Sequence, residues 1–390
     1  MSFDPNSLLN PVLTAIKPSG IRKLFDIANS MEGVISLGIG EPDFPTPWHI
    51  RDAGIRSLEG SRTQYTSNAG MIELRRSISE YLQRRFSLEY NPDSNILVTV
   101  GGSEAIDLCM RALLIPGDEV IIPFPSFVCY APIAELCGAK VVPIYMKAED
   151  NFKLTATDLK NAITDKTKLL VLPFPNNPTG AIMDRQDLEA IADVLRDTNI
   201  AVLSDEIYAE LNYTEEGHVS IAQIDGMKER TILANGFSKA YSMTGWRMGY
   251  LCAASAFVKQ FTKLHQYAIM CAPTTSQYAA IEAIRYGDED VANMRKEYNY
   301  RRRFIVDGFN KLGLTCFEPQ GAFYCFPCIK STGLTSDEFC QKLLYDKKVA
   351  LVPGTAFGDN AEGFIRVSYA YSIEHIKIAL DKIKEWLSNE

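Results

Sequence analysis

Lys168-Leu169-Leu170-Val171-Leu172-Pro173-Phe174-Pro175-Asn176-Asn177-Pro178-Thr179-Gly180 opens as an unbroken apolar run and closes as a turn. A short run without polar alternation marks a strand covered on both faces, as strands of parallel sheets are. The prolines fix φ and Gly180 is free to take a positive φ, so the strand must end there. The same pattern recurs on both sides. Ile96-Leu97-Val98-Thr99-Val100, Glu119-Val120-Ile121-Ile122, Lys140-Val141-Val142, Ala201-Val202-Leu203, Thr231-Ile232-Leu233 and Tyr250-Leu251-Cys252 are short runs rich in β-branched residues. Helical patterns such as Ser103 to Leu114 and Arg185 to Arg196 lie between them. This β-α-β rhythm predicts an α/β fold: a large domain whose mostly parallel, seven-stranded sheet is covered by helices on both sides.

The C-terminal part reads differently. Residues 255–312 are helical with few breakers, and their Arg301-Arg302-Arg303 run is expected to be a solvated face. Ala322 to Phe326, Val349 to Val352 and Phe364 to Ser368 read as strands. A last amphipathic helix aligns Ile376, Leu380, Ile383 and Leu387, with Ser372 placed to cap it. The expected division is an N-terminal segment 1–45, interrupted by Pro5, Pro11 and Pro18, that packs on the small domain and active site. A large domain 46–290 and a smaller α+β domain 291–390 follow it.

The length of 390 residues agrees with two domains at about 150 residues each or one large domain with an appendage. Hydrophobic residues make up 46% and charged residues 23%, enough for a sizeable core. Forty basic against 48 acidic residues give a net charge of −8, which argues against nucleic acid as a partner. A small anionic ligand needs only a few placed cations and stays open. Met1 to Asn10 holds Asp4 and no basic residue, so no secretory signal is expected there. The most apolar stretch, Val120 to Ala134, is broken by Pro123, Pro125 and Pro132, so no membrane span is expected. Nine scattered cysteines read as free thiols of a reducing cytoplasm rather than disulfides. Cys325 and Cys328 form an isolated C-x-x-C, and His49, His218, His265 and His375 do not cluster, so no metal is expected.

In an open parallel sheet, ligands sit beyond the carboxyl ends of the strands. Gly101-Gly102-Ser103-Glu104 follows the first run and opens a helix, whose unpaired N–H groups suit an anion. Alone this is only a glycine turn. Neither it nor Gly38-Ile39-Gly40 completes a dinucleotide fingerprint, which excludes a nicotinamide dehydrogenase. Ser204-Asp205-Glu206-Ile207-Tyr208 puts an Asp just past a buried strand, where it must be solvated, paired or matched to a cationic ligand atom. Asn235-Gly236-Phe237-Ser238-Lys239 sets a lysine among Phe237, Tyr241, Met243 and Trp246, where desolvation depresses the pKa and favours an amine nucleophile. Arg247 follows in Thr244-Gly245-Trp246-Arg247-Met248-Gly249. Each feature has an ordinary structural reading. Together they suit pyridoxal 5′-phosphate: an amine for the aldehyde, a carboxylate for the ring nitrogen, donors for O3′, and a helix N-terminus plus a cation for the phosphate.

With these stretches in order, the chain resembles the class I (fold type I) pyridoxal-phosphate-dependent aminotransferases, in the subgroup of aspartate and N-acetyl-diaminopimelate aminotransferases. The resemblance begins at Lys17-Pro18-Ser19-Gly20 and Gly38-Ile39-Gly40-Glu41-Pro42-Asp43-Phe44. It passes through Tyr65-Thr66-Ser67-Asn68-Ala69-Gly70, Asn177-Pro178-Thr179-Gly180, Ser238-Lys239 and Gly245-Trp246-Arg247, and ends at Phe364-Ile365-Arg366-Val367-Ser368-Tyr369. It implies that Lys239 holds the cofactor covalently and shuttles the proton. Asp205 would pair with the ring nitrogen, and Tyr208 and Asn177 with O3′. Gly102, Ser103 and Arg247 would hold the phosphate, with Ser238 as a further contact, and Phe127 would stack on the ring. Gly40, Asn177 and Arg366 would take the substrate α-carboxylate, and Ile21 would face the substrate side chain. Tyr65 would serve the neighbouring subunit, which implies a homodimer with shared active sites.

Two departures stand out. Relatives often carry Ser where this chain has Gly236, which removes one phosphate contact. Phe127 offers no polar atom where aspartate-specific members carry Trp or Tyr. The implied activity is transfer of an amino group from an L-amino acid to a 2-oxo acid, most simply 2-oxoglutarate, in amino acid metabolism. Aspartate, aromatic, branched-chain and N-acetyl-diaminopimelate donors stay open. A β-lyase on the same fold is the alternative. A regulator that keeps the fold as an effector domain would carry an additional DNA-binding module, for which the pattern beginning at Lys17 leaves no room.

Overall fold

The computed structural model describes residues 3–16, 27 and 30–388. In chain order its strands are β1 (Ile35–Ser36), β2 (Ile96–Thr99), β3 (Glu119–Phe124), β4 (Lys140–Tyr145), β5 (Thr167–Leu172) and β6 (Ala201–Asp205). Then come β7 (Thr231–Gly236), β8 (Gly249–Cys252), β9 (Tyr324–Cys325), β10 (Val349–Ala350), β11 (Val352–Pro353) and β12 (Ile365–Ser368). Seven of them form one sheet in the order β2-β8-β7-β6-β5-β3-β4. β7, β6, β5, β3 and β4 run parallel, while β8 lies antiparallel to both its neighbours.

The unalternated strands follow from having cores on both faces. In β5, Leu169 and Val171 point into a cluster with Ile106, Met110 and Phe261. Leu170 and Leu172 point the other way, toward Leu188, Ile191 and Leu195 of helix Arg185–Leu195. A period of two with both faces buried leaves no polar position to show in the sequence. Helix Arg185–Leu195 begins at Asp184, whose side chain and that of Asp187 cap each other's backbone N–H.

The C-terminal elements share a separate cluster that includes Phe339, Leu343, Val349, Ile365 and Trp386. Helix Ile373–Leu387 is capped by Ser372, which accepts from the His375 N–H, and it buries Ile376, Leu380 and Ile383. β9, β11 and β12 form a small antiparallel sheet, while β1 pairs in parallel with β10. Leu37, just past β1, enters the same C-terminal cluster, so this stretch of the N-terminal segment packs on that part of the chain.

One expectation is corrected. Arg301 and Arg302 are not a solvated face: both are buried inside helix Asp288–Lys311, and of the three only Arg303 is exposed. Arg301 donates to both carboxylate oxygens of Asp43 at 2.8 Å and to Glu297 at 3.0 Å. Arg302 reaches Glu318 and the Pro319 carbonyl. A buried guanidinium is tolerable only when paired in this way. The Asp43–Arg301 bond therefore ties the Gly38–Phe44 stretch to the long C-terminal helix.

Candidate active site

Beyond the carboxyl ends of the parallel strands lies a cavity of about 670 Å³. After β2, helix Gly101–Leu113 starts directly, with Gly101 at φ +74°. A Cβ there would come within 2.6 Å of an Arg247 guanidinium nitrogen, so only glycine allows the arginine to close over this turn. A Cβ on Gly249 would meet Gly101 and Gly102 backbone atoms at 2.5–2.9 Å, so the helix start rests directly on β8. Gly102 and Ser103 of this first turn line the cavity, and a helix N-terminus leaves its first N–H groups without intrahelical partners.

Lys239 extends from the connection after β7. Its ammonium donates to the Gly40 carbonyl at 2.6 Å and stands 5.9 Å from the centre of the Tyr208 ring. Burial lowers its pKa from the usual lysine value to about 8, with Glu41 working against the shift and Arg366 and Arg247 adding to it. Asp205 ends β6 and is buried; burial raises its pKa, while hydrogen bonds from the Tyr130 hydroxyl at 2.7 Å and the Ile207 N–H pull the other way. Among the described residues the Tyr130 phenol is its only side-chain donor, and a buried carboxylate so placed retains an unmet demand for a cation.

Arg366, on β12, is 4% exposed and lies 4.6 Å over the Tyr324 ring. It donates to the Gly38 carbonyl and to Asn177 Oδ1, and its Nε has no partner among the described residues. Buried donors without partners are rare, and the residue that carries this one lines the cavity.

Gly40, Gly102, Ser103, Phe127, Asn177, Asp205, Tyr208, Ser238, Lys239, Arg247 and Arg366 all line this one cavity. Tyr208 does not wait unpaired for a ligand: its hydroxyl shares a hydrogen bond of 2.9 Å with that of Tyr324. Asn177 is likewise engaged, by Arg366. Tyr65 is not in the cavity lining and is 82% exposed. Ile21 lies outside the described residues. Gly236 also has a steric reason: a Cβ there would sit 2.9 Å from the Met248 carbonyl and 3.1 Å from Ile207 Cδ1. The close approach of β7 to β8 leaves no space for a serine.

Sequence reasoning missed Tyr130, Tyr324 and Glu41. Tyr130 is at the start of a helix beyond β3 and Tyr324 on β9, and both look like core aromatics until the fold turns their hydroxyls to the cavity. Glu41 follows Gly40 directly, but its place beside the lysine comes only from the fold.

The chain matches the family described as aminotransferase class I and II over residues 32–383. A putative aminotransferase, YugH, from Bacillus subtilis (strain 168) is 50% identical over 381 residues, covering 98% of each chain. An aspartate aminotransferase from Pyrococcus abyssi is 45% identical over 96% of this chain and 97% of its own. The crystal structure of Pyrococcus protein-A1 superposes with a TM-score of 0.95 at 44% identity, covering 97% of this chain and 98% of the other.

The buried amine makes a pH prediction. In cofactor-free protein, reductive methylation of Lys239 against pH, read by peptide mass mapping, should follow a titration centred near pH 8. A midpoint at the ordinary lysine value of about 10.4 would mean that burial is not acting on the amine. The sign follows from proton linkage: between these two values the unfolded chain holds the proton that the folded chain has lost, so the folded state gains stability as pH rises through that window.

Proposed function

The chain belongs to the class I and II aminotransferases, pyridoxal-phosphate-dependent enzymes, and on that footing we propose that it moves the amino group of an L-amino acid to 2-oxoglutarate with the cavity residues in the roles that follow. The observation that carries the assignment is the meeting in one cavity of a lysine with its pKa near 8, a buried aspartate and an arginine with an orphaned donor. These residues fit the cofactor. Asp205 lacks a cation that a protonated ring nitrogen provides. The Gly101–Ser103 turn and Arg247 form a cradle that a Cβ at Gly101 would obstruct.

When bound, pyridoxal phosphate supplies an aldehyde that takes the amino group and a ring that spreads the charge left by the departing α-proton. Lys239 anchors the cofactor covalently and, once displaced by substrate, is the base at Nζ that takes the α-proton. Its lowered pKa keeps a useful fraction of free amine near neutral pH, as a general base requires. Asp205, buried at the end of β6, would hold the ring-nitrogen proton in place. Arg366 presents its fork to the planar α-carboxylate, and Asn177, already bonded to it, fixes the fork's plane. Gly40 suits this corner because a Cβ would fall 2.4 Å from the Tyr324 hydroxyl. Phe127, edge-on to Tyr130 at 6.1 Å, would stack on the ring, and Ser238 would support the phosphate.

The proposal extends to assembly and setting. Tyr65 serves the site of a second copy in a homodimer, supported by a large aromatic side chain that is 82% exposed and outside its own cavity. The chain works in the cytoplasm, supported by nine cysteines that are all free thiols. Among the described residues no helix is long and apolar enough to cross a membrane. Residues 46–290 act as the cofactor-binding domain and 291–390 as the small domain that delivers Arg366.

Incubation with a panel of L-amino acids and 2-oxoglutarate should yield glutamate and the matching 2-oxo acids, with the activity gone in Lys239→Ala. Pyruvate and ammonia released from a cysteine conjugate without any acceptor would instead mark a β-lyase. Arg366→Lys should keep cofactor absorbance and lower kcat/KM on the best donor by at least about tenfold, roughly 1.4 kcal/mol of transition-state stabilisation. Near wild-type kcat/KM would place the carboxylate elsewhere. Mixing inactive Lys239→Ala and Tyr65→Ala subunits should restore activity through heterodimers with one intact site, and no recovery after demonstrated subunit exchange counts against sharing.

A further inference from the structure

His265 is wholly buried in helix Ser255–Ile269, on the face it shares with Val258 and Phe261. That face packs on helix Gly101–Leu113, the helix whose first turn forms the anion cradle. The His265 Nδ1 is 2.8 Å from Glu104 Oε1, and the other Glu104 oxygen accepts from the Val100 N–H. A carboxylate only accepts, so Nδ1 carries the proton of that bond. The His265 Nε2 has no partner among the described residues. An imidazole with one nitrogen unsatisfied is an expensive way to fill a core position that leucine fills at no polar cost.

The peculiarity resolves at Glu104. It stands in the first turn of the cradle helix, where its carboxylate competes with an incoming anion for the same N–H groups and the same positive helix end. Held back on Val100, which precedes the first turn, it leaves the N–H groups of Gly101, Gly102 and Ser103 free. Among the described residues only the imidazole fixes the second oxygen, and it stops the carboxylate from swinging forward. The structure thus assigns His265 as a positioning residue for the cofactor phosphate: it pins Glu104 on the Val100 N–H and keeps the cradle open. This rests on the reading of the Gly101–Ser103 turn as the phosphate site.

The experiment compares the affinities of the cofactor-free protein for pyridoxal phosphate and for pyridoxal, which shares every feature except the phosphate. Binding is read by absorbance titration, with folding checked by circular dichroism. Wild type should prefer the phosphorylated form. His265→Leu should weaken binding of pyridoxal phosphate by roughly tenfold while leaving pyridoxal within about twofold. His265→Asn, whose amide can put a donor near the Nδ1 position, should restore the wild-type preference. Should His265→Leu fail to fold, His265→Phe carries the same comparison, because its ring fills the same core position without a donor for Glu104. Equal loss for both ligands, or no loss for either, would make His265 a packing residue and overturn the inference. A wild type without preference for the phosphorylated form would overturn the reading of the cradle itself.

Discussion

An amine taken out of water is the constraint around which this molecule is built. Lys239 lies in surroundings that lower its pKa to about 8, and a lysine in that state must be supported on every side by groups that tolerate it. The Gly40 carbonyl accepts from it, and the Tyr208 and Phe323 rings stand within 6 Å of the nitrogen. Each support comes from a different part of the chain. Gly40 is held by the N-terminal stretch tied through Asp43 to Arg301, Tyr208 by the loop after β6, and Phe323 by the segment leading into β9. The carbonyl and the two ring faces hold the nitrogen in place, while burial is what lowers its pKa.

The same requirement explains why the charges around the cavity are arranged in opposition rather than as ion pairs. Asp205 and Arg366 are both buried, and each is engaged mainly by neutral groups: Tyr130 for one, Asn177 and the Gly38 carbonyl for the other. Direct pairing would neutralise them and leave nothing for a ligand. Neutral partners fix their orientation while preserving their charge, so their electrostatic demand is directed into the cavity.

The large sheet was legible because its strands are short apolar runs with a core on each face, a pattern that does not depend on what packs against it. The cavity residues were legible because they follow strand ends, and parallel strands bring those ends together. What stayed hidden depends on long-range pairing. Arg301 and Arg302 read as a solvated run because Asp43 and Glu318 come from other segments. Tyr130 and Tyr324 do not stand out in the sequence because nothing local says that their hydroxyls meet Asp205 and Tyr208. Gly236 read as a lost contact, whereas the approach of β7 to β8 demands it.

The reversed direction of β8 has one more consequence. Because β7 and β8 are antiparallel neighbours, residues 237–248 leave and re-enter the sheet at the same end. A crossover to a parallel strand would have to return along the whole sheet before starting again. Here the excursion lines the cavity with Ser238, Lys239, Thr244, Gly245 and Arg247 and anchors Phe237, Tyr241 and Met243 in the core, with Lys239 near its start and Arg247 near its finish. The amine and the phosphate-side cation therefore belong to one closed hairpin whose ends are clamped by strand pairing. Residues inserted or deleted within it cannot be absorbed by a remote surface loop, whereas the parallel crossovers can change length on the outside of the molecule. Among the connections of the large sheet, this is the one in which chain length is itself part of the active-site geometry.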